Sequence, residues 1–220
     1  MDKKRVAVLI SGRGSNMMAL IEAAAANDYP AAIVLVVSNR ADAAGLARAR
    51  QAGVPTMVID HTAYGEDREA FERALDDVLA AHRIDLVCLA GFMRRLTPWF
   101  VTRWRGRMLN VHPALLPQFR GLHTHRRALQ AGVKRHGATV HFVVPEVDAG
   151  PIVAQASVAV RPDDTEETLA ARVLEVEHRI YPQALRALAE GRASADPAGA
   201  RRTRRAQSKK PRRQAGAQVC

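Results

Sequence analysis

Short runs of β-branched and aliphatic residues alternate with helix-length amphipathic stretches through the first half of this 220-residue chain. That alternation restricts the folds open to it more than any other feature. RVAVLI (5–10), IVLVVSN (33–39), TMVID (56–60), LVCLAG (86–91) and MLNVH (108–112) read as five strands, several of them apolar enough to be buried on both faces. Between them, MMALIEAAAA (17–26) and the stretches 42–51 and 67–82 read as helices. Strands separated by helices of this length form βαβ units with right-handed crossovers, and hence a parallel sheet. ATVHFVV (138–144) and IVAQASVAV (152–160), with only PEVDAG between them, read as a hairpin or an antiparallel edge. A last, long helix opens near DDTEE, whose acidic first turn suits the helix dipole. The expected fold class is therefore α/β: a Rossmann-like, mostly parallel sheet with flanking helices and an antiparallel C-terminal strand pair.

Composition narrows the function classes. At 48% hydrophobic and 25% charged residues the chain matches soluble globular proteins, and its length suits one domain. Its two cysteines, Cys88 and Cys220, have neither metal-site nor disulfide-framework spacing. Cys88 lies inside an apolar run and reads as a reduced core residue, so a cytoplasmic location is expected. No apolar stretch reaches the ~20 residues of a membrane span, and MDKKRVAVLI enters a strand without a cleavage site, so neither membrane association nor a signal peptide is expected.

The net charge of +11 suggests nucleic acid until it is located. Residues 192–220 hold nine Lys/Arg against one acid, Asp196, a local charge of +8 that leaves residues 1–191 at only +3. The expected division is a globular domain over 1–191 and a basic, disordered tail over 192–220. Such a tail could hold phosphates in a salt-dependent way, but it carries no aromatic residue for base stacking and reads as a solvated appendage.

Several polar motifs fall at strand C-termini, where ligands sit in open α/β sheets. SGRGSN (11–16) follows the first strand and opens a helix, so backbone N–H groups, Ser15 and Asn16 could hold an anion; the alternative is a tight turn with a helix cap. It lacks the third glycine of the dinucleotide fingerprint and the Gly-Lys-Ser/Thr of a P-loop. AGFMRRL (90–96) ends the fourth strand, either as an apolar wall for a flat heteroaromatic ligand or as a loop into a helix capped by Thr97 and Pro98. NVHP places Asn110 and His112 at i and i+2, on one face of the fifth strand, and Pro113 stops the strand. EVDAG adds Asp148 in a turn. A carboxylate facing an imidazole keeps it protonated, and an amide beside an imidazolium can stabilise a developing oxyanion. No serine or cysteine stands beside them, so the nucleophile belongs to a substrate. Glu177, on a largely apolar helix stripe, is either a helix-edge residue or a grip for hydroxyls.

SGRGSN, AGFMRRL, LNVHPALLP, GLHTHRRAL and VHFVVPEVDAGPI, in this order between Val6 and about Gly191, together resemble the phosphoribosylglycinamide formyltransferases, folate-dependent enzymes of purine synthesis. The resemblance implies transfer of the formyl group of 10-formyltetrahydrofolate to the amine of glycinamide ribonucleotide, without a metal. It implies Asn110, His112 and Asp148 as the catalytic trio. It implies that Gly14, Ser15 and Asn16 hold the ribonucleotide phosphate and Glu177 its ribose hydroxyls, and that Arg68, Met93, Arg94, Arg95, Leu96 and Asn110 line the folate pocket. The implied partners are these two small molecules, with nucleic acid only through the tail, no membrane, and a monomer or homodimer. Two positions depart from the pattern: Ala114 stands where relatives often carry serine, and Arg95 replaces a usual aliphatic residue.

Rival readings are separable. A methionyl-tRNA formyltransferase, slightly suggested by QFRG, would need a further tRNA-binding domain of ~100 residues. A formyltetrahydrofolate hydrolase would carry a regulatory domain before the first strand, and neither relative has the SGRGSN loop. A nucleic-acid-binding protein would depend on the tail and lose binding with salt. An NAD-dependent dehydrogenase would need the missing glycine.

Overall fold

The computed structural model describes residues 2–195; the expected basic tail, apart from its first four residues, lies outside them. One seven-stranded sheet forms the centre, in the order β3-β2-β1-β4-β5-β6-β7. The strands are β1 (Lys4–Ile10), β2 (Ala31–Ser38), β3 (Thr56–Val58), β4 (Leu86–Leu89), β5 (Met108–His112), β6 (Arg135–Phe142) and β7 (Ile152–Ala159). The helices are α1 (Ser15–Ala24), α2 (Ala44–Gln51), α3 (Arg68–Ala81), α4 (Pro98–Arg103), α5 (Thr124–Gln130) and α6 (Glu166–Ala189). Strands β1 to β5 pair in parallel, whereas β6 runs antiparallel to both β5 and β7. The mixed sheet expected from the pattern is the one observed.

Strand β1 shows why its apolar run does not alternate. Val6, Val8 and Ile10 pack into a core under α1, α2 and α6, with Met17, Leu20, Leu46, Val173 and Tyr181. Ala7 and Leu9 face the opposite core under α3 and α4, with Phe71, Leu75, Leu79 and Phe100. All five β1 residues are fully buried, which is the signature of a strand covered on both faces.

Local signals set most element ends. Thr97 caps α4 by accepting from the Phe100 N–H, with Pro98 in the first turn. Thr165 and Thr168 form a reciprocal capping box at α6, ahead of Glu166 and Glu167. Strand β4 ends two residues earlier than expected because Gly91 turns the chain at φ 73°. Strand β6 begins three residues earlier than expected, at Arg135, because β7 pairs with it along its length. A Cβ at Gly137 would lie 2.1 Å from the Ala156 carbonyl oxygen, so this part of the pairing demands glycine. Helix α5 was not expected from the sequence. It is seven residues long, and its N-cap, His123, adopts a left-handed φ of 56° with no side-chain cap, so no local start signal exists.

A buried histidine gives the fold a pH dependence. His136 is fully enclosed in β6, its ring edge-on to Phe119 at 5.8 Å and to His125 at 5.3 Å. Burial above all, then the neighbouring His125 and His112, holds its pKa down to about 4. An unfolded histidine titrates near ~6.5, so between these values the unfolded chain binds a proton the folded chain refuses. Stability is therefore expected to fall as pH drops from ~6.5 towards 4, by up to about 3 kcal/mol from this group. Urea unfolding across that range should show the slope in the unaltered chain and a shallower one in His136→Phe.

Candidate active site

Sequence order along the sheet reverses between β1 and β4, and the chain leaves both strands at the same edge. Here the predicted motifs converge. Phe92, Met93, Arg94, Arg95 and Leu96, from the segment after β4, line a cavity of about 790 Å³ together with Asn110, His112, His141 and Asp148. That volume lies in the range of small-molecule sites. Arg68, the other residue expected on the folate side, is an exposed residue at the start of α3 and is not among the cavity's walls.

The trio meets in this cavity. Asp148 Oδ2 lies 3.3 Å from His112 Nδ1 and accepts from the Gly121 N–H at 2.9 Å. Asp148 adopts φ 51°, a left-handed conformation that aspartate tolerates better than most residues. His112 Nε2 donates to the Phe119 carbonyl at 3.0 Å. Acceptors thus face both ring nitrogens, and only the imidazolium hydrogen-bonds both. Burial pushes the His112 pKa below its ordinary value, while the Phe119 carbonyl and Asp148 pull it back up. Burial likewise pushes Asp148 up, but His141, the Gly121 N–H and His112 outweigh it and hold the carboxyl below its usual range. Asn110 stands beside them on β5, its Nδ2 3.3 Å from His141 Nε2.

His141 is the site residue the sequence reading missed. Its Nδ1 donates to the Phe142 carbonyl at 2.9 Å, and its Nε2 lies 3.6 Å from Asp148 Oδ1. It arrives through the antiparallel register that sets it opposite Asn110, a pairing across 31 residues with no local signature.

The second half-site lies past β1. Gly14 turns at φ 70°, Ser15 opens α1, and Asn16 is buried. Asn16 Nδ2 donates to Glu177 Oε2 at 2.5 Å, joining two residues 161 positions apart, while Asn16 Oδ1 has no partner. Burial raises the Glu177 pKa, opposed by the Asn16 hydrogen bond. The loop is clamped from α2: the Gly45 N–H donates to the Gly12 carbonyl at 2.9 Å, and Arg48 donates to the Arg13 carbonyl at 3.2 Å. A Cβ on Gly45 would lie 2.6 Å from Ile10 Cδ1 and 3.0 Å from the Gly12 oxygen, so a side chain there would have to displace Ile10 and crowd the loop. Arg48, Arg179 and His178, none of them included in the motif reading, line a smaller cavity of about 390 Å³ beside Ser15. Among the described residues, no cluster of His, Cys, Asp and Glu is arranged to hold a metal ion.

Coupling between Asp148 and His112 is directly measurable. Asp148→Asn removes a charge that raises the imidazole pKa, so the His112 titration followed by NMR should move further to acid. An unmoved titration would mean that the 3.3 Å contact carries no electrostatic coupling.

Comparison with known proteins identifies the family. Residues 4–185 match the formyl transferase family. The chain is 48% identical over 187 residues to phosphoribosylglycinamide formyltransferase of Escherichia coli K12, covering 85% of this chain and 88% of that one. It is 51% identical over 198 residues to the trifunctional purine biosynthetic protein adenosine-3 of Gallus gallus; that match covers 90% of this chain but only 20% of the longer protein. Among solved structures, phosphoribosylglycinamide formyltransferase from Brucella melitensis superposes with a TM-score of 0.82 at 52% identity, covering 86% of this chain and 97% of that one. Glycinamide ribonucleotide transformylase 1 from Symbiobacterium toebii gives a TM-score of 0.84 at 49% identity, covering 86% and 89%. With residues 4–185 matched by its model and full-length relatives near half identical, the chain belongs to the formyl transferase family.

Proposed function

We propose that this chain transfers the formyl group of 10-formyltetrahydrofolate to the amine of glycinamide ribonucleotide, giving formylglycinamide ribonucleotide and tetrahydrofolate in de novo purine biosynthesis. The observation that carries the reading is the meeting of Asn110, His112 and Asp148 on one cavity with no serine or cysteine among its lining residues. The attacking atom is then the substrate amine. Its nitrogen bonds to the formyl carbon, the carbonyl oxygen takes up negative charge, and the bond from that carbon to folate N10 breaks. The proton lost by the amine is the one N10 gains.

The chain's residues serve those changes. The Asn110 amide and the His112 Nε2–H, which here donates to the Phe119 carbonyl, are the donors a developing oxyanion would take over. Asp148 favours the imidazolium and is placed to pass the proton between the two nitrogens. The apolar wall of Phe92, Met93 and Leu96 suits a flat pteridine, and Arg94 and Arg95 at the same wall suit the carboxylates of its glutamate. The α1 N-terminus with Gly14, Ser15 and Asn16 suits a phosphate, and Glu177 suits ribose hydroxyls. The catalytic unit on this reading is 1–191, supported by the family match over 4–185, with the basic stretch 192–220 outside it.

Tetrahydrofolate release from 10-formyltetrahydrofolate, assayed with and without glycinamide ribonucleotide, tests the reading. Release that depends on the amine is expected; release without it would indicate a hydrolase, and none at all would overturn the enzyme reading. Asn110→Ala should lower kcat by about 10²–10³. Glu177→Gln should instead raise KM for the ribonucleotide about tenfold or more and leave kcat within a few-fold, because it removes binding shared by ground and transition states.

A further inference from the structure

The two half-sites are joined by one buried hydroxyl. Ser11 directly follows β1 and begins the loop that leads through Gly12 and Gly14 to α1. Its N–H donates to the Gly91 carbonyl at 3.1 Å, and its Oγ accepts from the Met93 N–H at 2.8 Å. The same hydroxyl donates to Asn39 Oδ1 at 2.6 Å, so its proton is committed and its lone pairs are aimed at Met93. Asn39 is itself buried at the end of β2, where its carbonyl accepts from His61 Nδ1 at 2.9 Å. Ser11 is thus held by the neighbouring strand and holds the segment that lines the larger cavity.

The segment is also anchored by Phe92, whose side chain is buried in the core that holds Phe71 and Phe100. At its far end the Thr97 N–H donates to the buried Glu72 at 2.7 Å. Near its start, the Gly91 carbonyl and the Met93 N–H both meet Ser11. Met93 itself is 68% exposed, so its side chain does little to fix the backbone that carries Arg94 and Arg95. The position of this wall therefore depends on the residue that starts the phosphate-side loop.

We propose that Ser11 is a positioning residue that couples the two substrate half-sites, so that occupying one raises affinity for the other. The inference rests on the functional reading above and adds a dependence between its two ligands. An anion held by the Gly12–Asn16 loop immobilises the chain on the C-terminal side of Ser11. The hydroxyl passes that restraint to Met93, and a folate ligand then meets a wall whose ordering cost is already met. By linkage the effect is reciprocal: folate tightens the ribonucleotide by the same factor.

The test uses the full chain with tetrahydrofolate and glycinamide ribonucleotide, a pair that cannot react because neither carries the formyl group. Calorimetric Kd values for each ligand, alone and with the other saturating, give the coupling factor. In the unaltered chain it should be about fivefold or more, equal in both directions. Ser11→Ala, and Ser11→Cys, which keeps the side chain's size but accepts hydrogen bonds poorly, should each bring the factor close to one while both ligands still bind singly. Ser11→Thr, which keeps the hydroxyl, should restore it. A factor near one in the unaltered chain, or an undiminished factor in the Ala or Cys variant, overturns the proposal. Failure of either ligand to bind the unaltered chain alone is a different result, which removes the functional reading and this proposal with it.

Discussion

The parallel pairing of β1 with β4 is the constraint on which the rest of the molecule depends. Parallel strands release their chains at the same edge, so the segments that begin at Ser11 and Gly91 must lie side by side. Strand β5, parallel to β4, then brings Asn110 and His112 to the same edge. One loop ends at the start of α1, the other forms the wall of a large cavity, and the trio lies with that cavity. Their meeting at this edge is the consequence of sheet order, and on the proposed reading the side chains choose the chemistry.

That chemistry needs a carboxylate in a dry place, which is costly. The Asp148 side chain is 10% exposed and that of His112 only 7%, so leaving either charge without partners would cost several kcal/mol. The cost is offset locally: Gly121 supplies an N–H, and His112 and His141 face the two carboxylate oxygens. Two imidazoles round one carboxylate also restrict what each can do. His141 has its Nδ1 proton fixed by the Phe142 carbonyl, leaving Nε2 for Asn110 and Asp148, whereas His112 gains a second full hydrogen bond only by becoming charged.

How much of this was legible in the sequence depends on distance along the chain. Strand runs, the caps at Thr97 and Thr165, and the polar residues at strand ends are local facts, and the fold class followed from them. The i, i+2 spacing of Asn110 and His112 likewise settled their shared face. His141 and the Asn16–Glu177 bond are juxtapositions made by register or by two helices packed on one face of the sheet, and no short window of sequence contains both partners; the Phe119 carbonyl, seven residues after His112, is turned back to it by the loop after β5. The motif resemblance supplied Asn16 and Glu177 as separate names; only the fold makes them one hydrogen-bonded unit. Short α5 escaped for another reason, since its start is set by packing after a left-handed residue rather than by a cap.

The same distinction explains why one departure from the family pattern is tolerated. Ala114, at a position where relatives often carry serine, is fully buried, and its contacts run through the backbone. Its N–H donates to the His112 carbonyl at 2.9 Å, and its own carbonyl accepts from Thr139 Oγ1 at 2.7 Å. Thr139 in turn accepts from the Leu116 N–H at 3.1 Å and from Gln155 at 2.8 Å, so the chain leaving the catalytic strand is pinned to β6 by a hydroxyl of β6 itself. A serine hydroxyl at 114 would enter a neighbourhood whose backbone groups are already satisfied, so its absence leaves no polar group unpaired. Arg95 departs on the opposite principle. Its side chain is exposed at the cavity wall, where a long cation costs little to place and can reach an anionic ligand. Substitutions here are permitted where the backbone does the bonding or where water surrounds the side chain. The cluster of Asn110, His112, His141 and Asp148, two of them buried and two half-buried, has neither freedom, because each side chain there is another's partner.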